Sequence, residues 1–119
     1  MILGHIWVKV KLGDPEKRKV VEVEALVDTE ATLTVIPRKL AEQLSLKITG
    51  KTVAETGAGK LVLDRTRIWI EIEGKEETVP ALISDIIDKV LIGVTTLEVL
   101  GLKVDPLTGK LVEWTILLY

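Results

Sequence analysis

A chain of 119 residues with a formal net charge of −2 is long enough for one domain with its own hydrophobic core. Hydrophobic residues make up 47% of the sequence but aromatic residues only 3%, so the core must consist of Val, Ile and Leu, which favour β-strands. The absence of cysteine excludes disulfides and thiolate metal sites, and a single histidine excludes His-based triads and His-rich metal sites.

Charge and hydropathy also predict where the protein is located and which partners it does not bind. Charges of both signs are interspersed, which predicts no nucleic-acid binding, and no apolar run is long enough to span a membrane. Residues 1–9 have no signal-peptide pattern, so a cytoplasmic location is expected. The lack of Asn and the single Gln, beside abundant Glu, Lys, Ile and Val, are typical of a protein from a hot environment.

Hydrophobic periodicity predicts the elements of the first half of the chain. Alternation of apolar and polar residues predicts a strand over residues 6–12, and a second strand follows over residues 20–27. A turn at residues 13–15 makes these strands a hairpin that ends at Asp28. A short strand over 33–36 and a helix over 38–46 follow, with Pro37 at the helix start, where its missing N–H does no harm.

The second half of the chain is also rich in predicted strands. Strands over 51–55 and 60–64 flank a glycine-containing hairpin tip at 56–59, and strands over 68–72 and 78–83 follow. An apolar strand over 90–93 leads to a helix over 94–100, capped by Thr95 or Thr96 and closed by Gly101. A strand–turn–strand unit over 104–111 has Asp105 bonding its own backbone, and the apolar residues 114–119 predict burial or pairing with another chain.

The segment 25–37 carries the clearest chemical signal. Two apolar runs flank a turn that holds Asp28 together with the hydroxyl residues Thr29 and Thr32. A carboxylate at the end of a buried strand is costly unless it is hydrogen-bonded or used in chemistry, and threonine hydroxyls are suitable donors. Asp28 is therefore the candidate catalytic residue.

Two sequence segments resemble a known family. Asp28-Thr29-Glu30-Ala31-Thr32 is similar to the Asp-Thr-Gly-Ala-Thr signature of retropepsin-like aspartic proteases. Residues 90–93, followed by a short helix, resemble the apolar-apolar-Gly segment that packs beside that signature, and residues 96–111 resemble the prokaryotic single-domain members. The hairpin tip at 57–59 stands where such proteins carry their flap. The resemblance covers nearly the whole chain in order.

This resemblance implies a mainly β fold: one small, closed, retropepsin-like β-barrel with one or two short helices, one lobe per chain, over residues 1–119. Aspartic protease chemistry needs two carboxylates that share a proton, and this chain offers one such site. The resemblance therefore implies a homodimer with Asp28 of each chain at the two-fold axis and Thr29 bonding across the interface. It also implies a peptide or protein substrate, no cofactor or metal, and substrate contacts from Glu30, Ala31, Thr32, Gly57, Ala58 and Gly59.

Glu30 departs from the signature, which has Gly at this position. The added carboxylate would change the titration of the carboxyl cluster of an active dimer, or fill the cleft and leave an impaired dimer that only binds peptide or protein. It would alternatively help to hold a divalent cation, or turn to solvent and change little. A further hypothesis, independent of the resemblance, is a small β-barrel interaction module in which Thr29 and Thr32 satisfy a structural Asp28.

Overall fold

The computed structural model describes residues 5–114, which form nine strands and two short helices. In chain order the elements are β1 (His5–Gly13), β2 (Val20–Asp28), β3 (Thr34–Pro37), α1 (Arg38–Gln43), β4 (Gly50–Thr56), β5 (Gly59–Ile72), β6 (Lys75–Ser84), β7 (Val90–Ile92), α2 (Val94–Leu100), β8 (Leu102–Val104) and β9 (Leu111–Glu113). No helix among these residues is long and apolar enough to cross a membrane.

Six of the strands close into a mixed barrel. Their order is β1-β2-β7-β3-β6-β5, and β5 pairs back onto β1, with Leu12 opposite Ile70. The neighbours β2 and β7 are parallel, as are β3 and β6, while the remaining pairs are antiparallel. This architecture confirms the predicted fold class, a small closed β-barrel with two short helices.

Aliphatic side chains fill the barrel, as the composition predicts. The largest fully buried ones are Leu and Ile residues from five strands and the segment after α1: Leu12, Ile36, Leu44, Ile68, Ile70, Ile72, Ile83 and Ile92. Burying each such side chain contributes about 1.5–3 kcal/mol to folding. The core therefore lies between the strands that carry the candidate site.

The β4–β5 hairpin extends from this barrel. β4 is paired with β5 from Gly50 opposite Arg65 to Thr56 opposite Gly59, and among the described residues it pairs with no other strand. The prediction of separate strands over 60–64 and 68–72 is wrong, because β5 runs without interruption through the polar residues between them. Thr66 is buried there, and its hydroxyl donates to the Lys47 carbonyl at 2.6 Å.

The predicted helices are found, with corrected ends. The first ends at Gln43 rather than at residue 46, because Ser45 adopts a positive φ of 53° that a helix cannot continue. The second is closed by Gly101 at φ 74°, as predicted. The prediction that Thr95 or Thr96 caps it is wrong, since the N-cap is Gly93 and makes no side-chain cap bond.

The C-terminal unit follows the prediction as far as the described residues extend. The Leu107 N–H donates to the Asp105 carboxylate at 2.9 Å, so Asp105 does bond its own turn. Trp114 is anchored by its indole N–H, which donates to the Leu102 carbonyl at 2.6 Å. The rest of the predicted apolar terminal segment, residues 115–119, lies outside the described residues.

Candidate active site

The parallel pairing of β2 and β7 places Asp28. Val27, the residue before it, lies opposite Ile92, the residue before Gly93. Parallel strands run in the same direction, so Asp28 and Gly93 leave the barrel side by side at one edge. Two segments that are distant in sequence thus meet at the candidate catalytic residue.

Backbone hydrogen bonds attach the Asp28 loop to the start of α2. The carbonyl of Ala31 accepts from the Val94 N–H at 2.8 Å, and the carbonyl of Thr32 accepts from the Thr95 N–H at 3.0 Å. The first N–H groups of a helix have no partner within the helix. The loop that follows Asp28 supplies those partners, so loop and helix fix each other.

Gly93 is required by the close approach of this loop. A Cβ at position 93 would lie 2.4 Å from the carbonyl carbon of Leu33 and 2.6 Å from its oxygen. Backbone atoms in the interior cannot move away at low cost. The apolar-apolar-Gly segment therefore packs beside the Asp28 loop, as the resemblance implies.

A buried pair of threonines supports the same junction. The hydroxyls of Thr34 and Thr96 lie 2.6 Å apart, and the Gly93 N–H donates to the Thr34 hydroxyl at 3.1 Å. Both threonines are buried. The sequence assigned no role to Thr34 and interpreted Thr96 as a possible cap, because a contact across 62 residues leaves no local pattern.

The carboxylate of Asp28 is held in a tight turn. Its Oδ1 accepts from the Glu30 N–H at 2.9 Å, and its backbone carbonyl accepts from the Ala31 N–H at 3.1 Å. Within residues 5–114 the hydroxyls of Thr29 and Thr32 make no hydrogen bond, and one donor to the Asp28 carboxylate is a backbone N–H. Asp28 is half-buried at the end of β2, and the hydrogen bond from the Glu30 N–H orients its carboxylate.

The other residues of the signature differ in exposure. Ala31 is half-buried, while Thr29, Glu30 and Thr32 are exposed. In the single chain the Glu30 side chain therefore reaches solvent, although its backbone N–H contacts the Asp28 carboxylate. Among the described residues, no group of three or more His, Asp or Glu side chains is placed to hold a metal ion.

The three predicted hairpin residues form the turn between β4 and β5. Gly57, Ala58 and Gly59 are all exposed, and Gly59 has a φ of 119° that strongly favours glycine. Thr56 stabilises the turn, since its hydroxyl donates to the Gly59 carbonyl at 2.8 Å and accepts from the Ala58 N–H at 3.1 Å. These residues are on a different element from the Asp28 loop.

Comparison with known proteins gives the family. A family model described as aspartyl protease matches residues 8–96, which include the Asp28 loop, Gly93 and both buried threonines. The chain belongs to the aspartyl protease family. No curated protein matches the chain significantly in sequence.

Solved structures show that the chain has a retropepsin-like fold. The EIAV protease in complex with the inhibitor HBY-793 has a TM-score of 0.65 at 20% identity, over 82% of this chain and 88% of the EIAV chain. A retropepsin-like aspartic protease from Rickettsia conorii has a TM-score of 0.60 at 20% identity, over 85% and 76%. The retroviral protease-like domain of Ddi1 from Leishmania major has a TM-score of 0.59 at 15% identity, over 91% and 84%. At these identities the likeness shows a shared fold.

Proposed function

We propose that this aspartyl protease is a homodimeric endopeptidase in which Asp28 of each chain supplies one of two catalytic carboxylates. The observation that carries the proposal is the Asp28 loop itself: a half-buried carboxylate oriented by the Glu30 N–H, on a loop fixed to α2, inside the segment that matches the family. Because the chain has one such loop, a symmetric dimer is the simplest source of the second carboxylate.

Peptide hydrolysis follows from two carboxyl groups that share one proton. The ionised carboxylate takes a proton from water as the water oxygen attacks the scissile carbonyl carbon, and the protonated partner hydrogen-bonds the carbonyl oxygen. When the C–N bond breaks, the leaving nitrogen takes a proton from the dyad. In this proposal Thr29 supports the dyad, while Glu30, Ala31 and Thr32, with the turn at 57–59, contact the substrate.

One observation favours a second candidate, an impaired dimer that binds peptide or protein without cleaving it. Glu30 stands two residues from Asp28 and its side chain is exposed at the same barrel edge. In a dimer two such side chains would add two negative charges near the axis. Like charges disfavour ionisation of neighbouring carboxyl groups, and the Glu side chains would occupy space that the family's Gly leaves empty.

Cleavage of an unbiased peptide mixture between pH 3 and pH 8 tests both candidates. The unmodified chain is compared with Asp28→Asn, with Glu30→Gly and with Asp88→Asn, a control at an exposed loop carboxylate that pairs with Lys89. For the endopeptidase we expect Asp28→Asn to reduce the cleavage rate by about 10²–10⁴-fold or more, and Asp88→Asn to leave it unchanged.

The outcomes separate the candidates. Cleavage that persists in folded Asp28→Asn removes the catalytic assignment. A silent unmodified chain together with an active Glu30→Gly variant supports the impaired dimer. Sedimentation velocity on every variant supplies the oligomeric state, and a monomer at assay concentration contradicts both.

A further inference from the structure

A second concave site lies at the opposite end of β2 from Asp28. It is a cavity of about 460 Å³ between the β1–β2 loop, the segment after α1 and the outer face of β5. Val20–Asp28 is one uninterrupted strand, so at about 3.3 Å per residue the two sites are separated by up to about 26 Å. The cavity is distinct from the candidate active site, and its volume is that of a small-molecule site.

Hydrogen bonds hold the β1–β2 loop in shape on one side of the cavity. The Asp14 carboxylate accepts from the Lys19 N–H at 2.8 Å and from the Glu16 N–H at 3.3 Å, which closes the loop on itself. The ammonium of Lys19 then donates to the Ser45 hydroxyl at 2.8 Å and joins the loop to the end of α1. Ser45 adopts a positive φ of 53°, uncommon for a residue other than glycine.

The facing wall is fixed to β5. The Lys47 carbonyl accepts from the buried Thr66 hydroxyl at 2.6 Å, and the Thr49 N–H donates to the Arg65 carbonyl at 2.8 Å. Both walls are therefore held by contacts that exist without a ligand. A preformed cavity loses little conformational entropy when a ligand enters it.

The charges around the cavity are mostly positive. Four cations and two carboxylates line it: Arg18, Lys19, Lys47, Arg67, Asp14 and Glu16. The hydrogen bond from the Lys19 N–H is the largest cause of a lowered pKa of Asp14, and the bond from the Glu16 N–H also lowers it. The Glu16 carboxylate pairs with the Arg18 guanidinium at 2.6 Å. Both carboxylates are thus engaged within their own loop.

Two of the cations are available to a ligand. Within residues 5–114, Lys47 and Arg67 pair with no carboxylate, and the only side-chain bond of Arg67 is to the Thr78 carbonyl at 3.1 Å. The cavity also has an apolar part, where Pro15 is exposed and Leu44, 1% exposed, lies beneath the surface. Arg18 is paired with Glu16 and Lys19 is bonded to Ser45, which leaves Lys47 and Arg67 for a ligand. A cavity with an exposed proline and two such cations suits a ligand that is apolar at one end and anionic at the other.

We propose that this cavity binds a small organic anion, with its apolar body against the exposed Pro15 and its carboxylate or phosphate group paired with Lys47 and Arg67. The guanidinium of Arg67 offers forked donors that match two oxygens of such a group, and the Lys47 ammonium adds a compact charge. The proposal is independent of whether the chain cleaves peptides.

A matched set of three probes tests the proposal on the full chain at pH 7: 2-naphthyl phosphate, 2-naphthoate and neutral 2-naphthol. Two-dimensional ¹H–¹⁵N NMR follows the amide signals during each titration. We expect the anionic probes to shift signals from residues 14–19, 44–49 and 67 while the signals of residues 28–32 stay in place. We expect 2-naphthol to bind at least about tenfold more weakly, the loss of one charge-assisted hydrogen bond.

Substitutions identify the cations. Lys47→Met and Arg67→Met should each weaken binding of the preferred anion about tenfold, whereas Lys39→Met, an exposed lysine on α1 outside the cavity, should not change it. Both cavity side chains are exposed, and dispersed amide signals establish that each variant is folded. The Lys47→Met variant alone is sufficient if Arg67→Met does not fold.

The relative affinities of the three probes identify the chemical class of the ligand. A preference for the phosphate points to a phosphorylated ligand, a preference for the carboxylate to an organic acid, and either supports the proposal. Equal binding of 2-naphthol, unchanged affinity in both cavity variants, or no shift at 14–19 and 44–49 overturns it.

Discussion

At the scale of single residues, Thr34 supports the geometry of the candidate site although it does not belong to the signature. Its hydroxyl accepts from the Gly93 N–H and bonds the Thr96 hydroxyl, so one oxygen joins β3, the end of β7 and α2. All these groups are buried. Loss of this oxygen would leave a buried N–H and a buried hydroxyl unsatisfied.

Thr34→Val should therefore destabilise the protein although it preserves the side-chain volume. We expect a loss of about 1–3 kcal/mol in the free energy of unfolding, measured by urea denaturation. Thr34→Ser keeps the oxygen and removes one methyl group, so it should cost less than Thr34→Val. A Val variant more stable than the Ser variant would contradict this role of the hydroxyl.

The sequence located Asp28 and the glycine that packs against its loop, because both belong to short local patterns. It did not locate the Thr34–Thr96 pair, since neither threonine differs locally from a residue of an ordinary strand or helix. It also suggested hydroxyl donors for Asp28, whereas the structure supplies the Glu30 N–H, a donor present whatever the side chain. Partners chosen by backbone geometry cannot be predicted from side-chain types.

At the scale of elements, Arg38 joins three parts of the chain at the start of α1. Its guanidinium contacts Asp64 of β5 at 2.9 Å and Asp85 after β6 at 2.8 Å, and Lys51 of β4 contacts Asp64 at 2.7 Å. The hydrogen bond from Lys51, followed by that from Arg38, lowers the pKa of Asp64, and the bond from Arg38 lowers the pKa of Asp85.

Arg38→Gln should lower the thermal midpoint by a few degrees at pH 7. A carboxyl group whose pKa is lower in the folded state contributes stability above its unfolded pKa of about 4 and loses it as the pH falls through the folded value. The difference from the unmodified chain should therefore shrink below about pH 4. Thermal unfolding monitored by circular dichroism at pH 7 and pH 3 measures it.

Arg18→Gln is the matched control for this experiment. Arg18 pairs with Glu16 only two residues away, so it connects no separate elements. Its midpoint should stay close to that of the unmodified chain at both pH values. An equal decrease in the thermal midpoint for the two substitutions would show that the connection between elements is not the cause of the stabilisation.

Most elements could be predicted from the sequence because β1 and β2 alternate apolar and polar residues and the short β7 is an apolar run that ends before a glycine. The exception is β5, where the polar residues Arg65, Thr66 and Arg67 interrupt the apolar pattern of the sequence although the strand itself continues through them. Arg65 donates to the Thr52 hydroxyl at 2.8 Å, and Thr66 to the Lys47 carbonyl. Partners supplied by distant segments make polar residues compatible with a strand.

At the scale of the whole molecule, the described chain forms one closed barrel with one Asp28 loop at an edge. Closing the barrel does not require a second copy, because its six strands pair with one another. The proposed chemistry does, because each chain contributes one carboxylate. Catalysis should therefore depend on the association of two chains.

Mixing active and inactive chains tests this dependence. With the concentration of unmodified chain held constant, an equal amount of Asp28→Asn chain should halve the cleavage rate once subunits have exchanged, because about one quarter of the doubled number of dimers then have two Asp28 residues. The rate is measured on a peptide that the unmodified chain cleaves. An unchanged rate would mean that a single chain suffices.

The continuity of β5 limits how the hairpin can vary in length. Successive residues of a strand point to opposite faces, and no loop separates the barrel part of β5 from the hairpin part. One residue inserted between Lys60 and Leu63 would move the side chains on the turn side of the insertion to the opposite face of the hairpin, unless a β-bulge accommodated the extra residue. Residues added in pairs at the tip, one to each strand, would lengthen the hairpin and keep both faces. Length variants of this chain that retain its fold should therefore differ by pairs at the turn.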